Sequence, residues 1–266
     1  MENKFFIQIY KLKKFVRINL NSNINFDNLS RNINAIHYLT KNQHLINWKI
    51  LSANKNAIKL IEANKHKINW NNLSLNTNAI KILEQNLDKV NWEYLSENYN
   101  AIEILEANSD KIEWDYLSCN KNAIKLLETN PEKINWDYIA VNVNAINIIN
   151  NNLDKVNWEL LSENKNAIKL LKLNPNYISW EYLSQNTNAI DLLEQNLDKI
   201  DYTRLLINYN AIDIIKNNLD KVNISCCLLI SNKNAIKLLK ANMNKITNWN
   251  HILSNPSIFY KKSINI

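Results

Sequence analysis

Along the chain one large aromatic returns every 22 residues: Phe26, Trp48, Trp70, Trp92, Trp114, Trp136, Trp158, Trp180 and Tyr202. The next repeat carries Cys226, two residues late, and a ragged last one carries Trp249, one residue late again. Other positions keep step with this beat. Ala stands nine residues after the aromatic in every complete repeat, from Ala35 to Ala235, and Ile always follows it, from Ile36 to Ile236. Asn holds three further positions in all ten complete repeats, those of Asn98, Asn100 and Asn108, while the positions of Tyr94, Glu97, Tyr99 and Glu103 drift. An exact period held over most of a chain marks a repeat array, in which each copy is one supersecondary unit.

Two short helices per repeat explain the pattern. Asn91 precedes Trp92 and is placed to cap a first helix, as are Asn47, Asn69, Asn135, Asn157, Ser179 and Asp201, with Glu113 as the exception. Val90 and Leu95, repeated as Ile112 and Leu117, have the spacing of a hydrophobic staple. Glu93, Asp115, Asp137, Glu159 and Glu181 fall in the first turn, where the helix dipole favours acids. Trp92, Leu95 and Ser96 share one face, so the indoles are expected in the core and Tyr94 away from it. A second helix is expected to start with Asn100 as its cap and to run to Asn108. Its apolar face is Ala101, Ile102, Ile104 and Leu105, and its outer stripe is Glu103, Glu106 and Ala107. The chain has no Gly, so Asn98 and Asn108 are expected to supply left-handed backbone at the helix ends.

One repeat cannot fold alone. About seven apolar side chains at roughly 2 kcal/mol each fall short of an ordering cost of roughly 1–2 kcal/mol per residue. Neighbours must complete the burial, and a core Trp such as Trp114 is expected to cost about 3–5 kcal/mol when cut to Ala. The fold expected is all-α: a right- or left-handed solenoid of about ten two-helix, 22-residue repeats. Residues 1–25 are read as an N-terminal capping segment, 26–247 as the array and 248–266 as a C-terminal cap. Cys226 offers less volume than Trp and marks the weakest joint.

Composition narrows the function. Of three Cys, none is spaced as a disulfide framework, which points to a reduced, intracellular chain. No apolar run is long enough for a membrane span, and the lysine-broken N-terminal stretch does not read as a signal peptide. The net charge of +7 is concentrated at the ends: five Lys or Arg against Glu2 in residues 1–25, and six Lys with no acid in residues 230–266. Basic ends on a nearly neutral array are a weaker nucleic-acid signal than a basic stripe. His44 and His66 share a loop position in adjacent repeats, but tetrahedral metal ligation needs more ligands. There is no glycine-rich phosphate loop and no Ser/His or Cys/His arrangement, so no catalytic residue, cofactor, metal or small-molecule ligand is expected.

Candidate binding residues lie in the drifting positions. Tyr94, Tyr116, Tyr138 and Tyr182 fill one of them, interrupted by Leu160, and Tyr99 and Tyr209 fill another. Such a ladder suits a peptide or stacked nucleobases; alternatively each ring packs on the next repeat and shows only its hydroxyl. A fixed interior with variable exterior positions points to a non-catalytic scaffold for another protein. The rival is a sequence-tolerant nucleic-acid binder using Lys11, Lys13, Lys14, Arg17, Lys233, Lys237 and Lys240, and a third reading is a structural virion component.

The unit INWxxLSxNxNAIxLLExNxDK, seen around Trp92, Trp114 and Ile134–Lys155, resembles the short Asn-rich tandem repeats of uncharacterised proteins from giant DNA viruses such as mimivirus relatives. The likeness covers roughly residues 24–250. Many such repeats have Pro between the first two Asn, where this chain has residues such as Lys55, Tyr99 and Val143. The resemblance implies a viral protein of the infected-cell cytoplasm, and brings no activity or site residues with it.

Overall fold

The structure, a computed structural model, describes residues 6–12 and 25–265, with side chains from 25 to 259. It is an all-α solenoid of two-helix repeats, to which the terminal segments add a two-stranded ribbon. The chain divides into two compact parts, a middle part of Trp70–Val222 and an end part of Met1–Asn69 with Asn223–Ile266.

In the middle part each repeat opens at its aromatic with a first helix, such as Trp92–Glu97, and continues into a second, such as Ile102–Ala107. Neighbouring first helices pack side by side, Trp92–Glu97 on Trp114–Cys119 and that on Trp136–Ala140. Helices of five or six residues are far too short to persist alone, so their stability comes from this stacking. Caps start the first helix as expected: the side-chain oxygens of Asn91, Asn135, Asn157 and Asp201 accept from backbone N–H groups of the first turn, whereas Glu113 and Ser179 make no such bond. The second helix differs from expectation. It begins at Ile102 with Ala101 at its cap, and Asn100 lies one residue too early to cap it.

The core of the middle part is aliphatic, not aromatic. Leu95, Ala101 and Leu105 have no exposed surface, and their equivalents repeat through the array. Ala is invariant because its methyl is already fully enclosed, and any larger group would overpack the site. The indoles are half-buried at the rim instead. The cause is position: Trp92 is the first residue of its helix, so its ring lies at the lip of the layer. There the loop lysine of the same repeat covers it, with Nζ 5.1 Å from the Trp92 ring for Lys111, 4.4 Å from Trp114 for Lys133 and 5.2 Å from Trp136 for Lys155. Where Tyr177 replaces that lysine, its ring stacks on Trp158 at 4.8 Å.

The fixed Asn residues do not supply left-handed backbone, since no described residue has positive φ. They are hydrogen-bonding struts. Asn142 is fully buried, and its Nδ2 donates to Ser118 O (2.9 Å) and Asn120 O (2.9 Å) of the preceding repeat. Its Oδ1 accepts from Asn144 N at 3.1 Å, and Asn144 Nδ2 reaches back to Lys121 O at 2.8 Å. Asn152 Nδ2 donates to Ile148 O at 2.9 Å, four residues back, closing the second helix. Ser118 adds a further strut: its Oγ donates to Trp114 O (2.8 Å) and accepts from the N–H of Asn135 (3.0 Å), the residue that caps the next repeat's first helix. Carbonyls left over at the helix ends are thus satisfied by side chains of the adjacent repeat.

In the end part the segments expected as separate caps meet each other. Strand β1, Phe6–Leu12, pairs antiparallel with β2, Phe259–Asn265. The first repeat has the last as its neighbour: Asn32 Nδ2 donates to Leu253 O (2.8 Å) and Asn255 O (3.0 Å), and Asn34 Nδ2 to Pro256 O (2.9 Å). Asn54 makes the same pair of bonds to Ser30 O and Asn32 O one repeat later. Residues 249–258 therefore stand where a preceding repeat would, and use the same struts to do so. The insertion before Cys226 also has a role. Ile230 occupies the Ser position of its repeat, and Ser225 from the insertion accepts Thr247 N instead, at 2.9 Å. Cys226 itself stands at the N-cap position of the helix Cys227–Ser231 without a side-chain capping bond, and is half-buried.

An acidic and aromatic face as candidate functional site

The second and third residues of each first helix point away from the core, because Leu and Ser at the fourth and fifth take the buried side. In the middle part this builds a strip from consecutive repeats. From the repeat at Trp92 onward the second positions are Glu93, Asp115, Asp137, Glu159, Glu181 and Thr203, all exposed. The third positions are Tyr94, Tyr116, Tyr138, Leu160, Tyr182 and Arg204. Glu97 and Glu163, at the helix ends, add two more carboxylates. The acids have a local cause, the helix N-terminus. The tyrosines have none, since a first helix needs no aromatic there.

Tyr94, Tyr116 and Tyr138 form one run. The Tyr116 and Tyr138 rings lie 5.9 Å apart, tilted by 35°. The Glu93 carboxylate, followed by desolvation and by Tyr138, Tyr94 and Glu97, holds the Tyr116 phenol above its ordinary pKa. Tyr138 is the most open, at 41% exposure, while Tyr94, Tyr116 and Tyr182 are half-buried. The four side chains are therefore partly packed and partly open to solvent. Asp115 and Asp137 each accept one amide from the cap of the following first helix, from Asn135 Nδ2 (3.0 Å) and Asn157 Nδ2 (2.9 Å), which leaves carboxylate lone pairs open.

At its C-terminal end the strip is occupied by the chain itself. Arg204 Nη2 donates to Glu181 Oε1 at 2.7 Å, and its guanidinium lies 5.0 Å over the Tyr182 ring. The bond to Glu181 raises the Arg204 pKa. Burial pushes the Glu163 carboxyl upward, opposed by the Arg204 charge and a hydrogen bond with Gln185. Cys119, on the same face, donates its thiol to Tyr116 O at 3.1 Å, and desolvation, then Glu97, push its pKa up to about 11. One 22-residue step beyond Tyr182, the last tyrosine of the ladder, stands Arg204.

The other candidates fall elsewhere. Tyr99 and Tyr209 belong to the turn between the two helices, and Lys121 Nζ stands 3.7 Å over the Tyr99 ring. Tyr209 is half-buried in the equivalent turn five repeats on. Lys237 and Lys240 are exposed on the helix Ile236–Ala241, and Lys233 is exposed in the turn before it. Lys11 lies in β1, where side chains are not described, and Lys13, Lys14 and Arg17 lie outside the described residues. His44 and His66 are exposed, and among the described residues no three His, Cys, Asp or Glu are grouped to hold a metal ion. A shallow cleft of about 260 Å³ lies against Trp136, between Glu128, Pro131, Asn147 and Lys155. Among the described residues no helix is long and apolar enough to cross a membrane. Compared with known protein families, curated proteins and solved structures, the chain matches none of them.

Proposed function

We propose that the protein is a non-catalytic scaffold that binds another protein along the first-helix face of its middle part. One observation carries this: Tyr94, Tyr116 and Tyr138 form a contiguous outward aromatic run on helices whose inward positions are all committed to packing and struts. Partly exposed tyrosines on a rigid support are efficient anchors, because little side-chain entropy is lost on binding. Replacing Tyr94, Tyr116 and Tyr138 together by Ser is expected to abolish capture of the partner while far-ultraviolet circular dichroism stays unchanged. Capture at the original level would remove this face as the interface.

A second reading, a nucleic-acid binder, draws on the exposed pair Lys237 and Lys240, three residues apart on one helix. Titrating single- and double-stranded RNA and DNA across a salt series separates the two, since phosphate contacts weaken steeply with salt. Absence of binding at low salt rejects this reading. The resemblance to giant-virus repeats supports a setting in the cytoplasm of an infected cell, with a virion component as a third reading. Abundance in purified particles tests the latter.

A further inference from the structure

We propose that the acidic and aromatic face takes an extended, arginine-bearing segment of the partner, with one arginine on each first-helix acid, beside the tyrosine run. This rests on the scaffold reading above and adds the chemistry of what is bound. The template is in the structure. Arg204 lies against Glu181 at 2.7 Å and over Tyr182 at 5.0 Å, so one such pair already holds a guanidinium. The same pair recurs as Glu93–Tyr94, Asp115–Tyr116 and Asp137–Tyr138. In those repeats the position corresponding to Arg204 is filled by Tyr116, Tyr138 and Leu160, which flank the preceding tyrosine, as Tyr138 does Tyr116 at 5.9 Å, but bring no positive charge to Glu93, Asp115 or Asp137. The second, third and sixth positions of the first helices contain no Lys or Arg from Glu93 to Thr203. Charge complementarity thus calls for cations from outside.

Geometry sets their spacing. Packed helices lie roughly 8–10 Å apart, and a polyproline II segment brings every third side chain to one face at about 3 × 3.1 Å, or roughly 9 Å. A segment with Arg at every third residue therefore keeps step with Glu93, Asp115 and Asp137. Arginine is favoured over lysine because a planar guanidinium stacks on a phenol ring while donating to a carboxylate, and an ammonium cannot do both as well. Nucleic acid is disfavoured on this face by the same carboxylates.

The test uses the full chain and fluorescent peptides. The probe is a nine-residue peptide of three Arg-Ala-Pro triplets, compared with its Lys counterpart and with a peptide carrying three Arg at every second residue. The Arg triplet peptide is expected to bind at least about fivefold more tightly than either control. Its affinity is expected to fall at least tenfold in the triple variant Glu93→Gln, Asp115→Asn, Asp137→Asn, and in the triple Tyr→Ser variant, both with unchanged circular dichroism. Because Asn retains an acceptor for the Asn135 and Asn157 amides, the first variant tests charge with the struts left in place. Equal binding of Arg and Lys peptides, or equal affinity in the acid-neutralised variant, overturns the inference. A partner captured through the tyrosines by a segment without arginine overturns the inference alone. Indifference of both capture and peptide binding to the tyrosines overturns the scaffold reading with it.

Discussion

The struts give the sharpest test of how the array holds together, and Asn142 is the best placed of them. It is fully buried, donates to two carbonyls of the preceding repeat, Ser118 O and Asn120 O, and accepts from Asn144 N. Asn142→Ala removes three hydrogen bonds of about 1 kcal/mol net each and strands buried carbonyls at about 1–3 kcal/mol apiece. Since the preceding turn can relax toward water, the expected loss is about 2–4 kcal/mol. Asn142→Asp keeps the shape and the acceptor to Asn144 N but sets a carboxylate against two carbonyl oxygens, so at neutral pH it is expected to cost more than Ala. That carboxyl gains from protonation, because its acid form can donate one bond, so its folded-state pKa lies above the unfolded value of about 3.9. A folded state that binds the extra proton is stabilised as pH falls. Relative to Asn142→Ala, the Asp variant should therefore recover stability between about pH 6 and 4 and lose it as pH rises. Urea unfolding of the full chain, followed by circular dichroism at pH 7, 5.5 and 4.5, measures this. An Asp variant within about 1 kcal/mol of the unmodified protein at pH 7, or one that tracks Ala at every pH, would refute the strut.

Three other outcomes follow from burial and titration. Leu117→Ala, at a position with no exposed surface, is expected to cost about 2–5 kcal/mol, and Trp114→Ala, at the rim under Lys133, clearly less; a larger loss at Trp114 in the same unfolding assay would restore the indoles to the core. Cys119, with a pKa of about 11, is expected to be alkylated by iodoacetamide at pH 8 at least tenfold more slowly than the exposed Cys227, and equal rates by peptide mass spectrometry would contradict this. Because the unfolded thiol, near 9.0, releases its proton first, the contribution of Cys119 to stability is present below pH 9 and falls away toward pH 11.

Much of the fold was legible because a repeat states its own contrasts. Leu95, Ala101 and Leu105 recur in step, and they are the core. The caps at Asn91, Asn135 and Asp201 could be read because N-capping is local chemistry. Fixed Asn was also visible, but its reason was not. Periodicity reports that a position is constrained, and an amide that bonds to the repeat before it looks the same in sequence as one that turns the chain. The indoles misled for a related reason: the wheel gives Trp92 the same bearing as Leu95, but not its depth, and a residue at the first position of a six-residue helix sits at the edge of the layer. Of the candidate face, the tyrosines of the first helix were found by counting, while the contact of Arg204 with Glu181 and Tyr182 needed the packing of adjacent repeats.

The sequence by itself determined the unit: its length, its two helices, which aliphatic side chains are enclosed, and that each copy needs neighbours. The tertiary structure alone decided who the neighbours of the outermost copies are. Asn32 bonds to Leu253 and Asn255, and β1 pairs with β2, contacts between residues more than 200 positions apart that no 22-residue count contains. The physical reason is that a period fixes the step from one repeat to the next only in sequence. Which segments far apart in the chain meet depends on the complementarity of side chains in contact and not on their spacing along the chain.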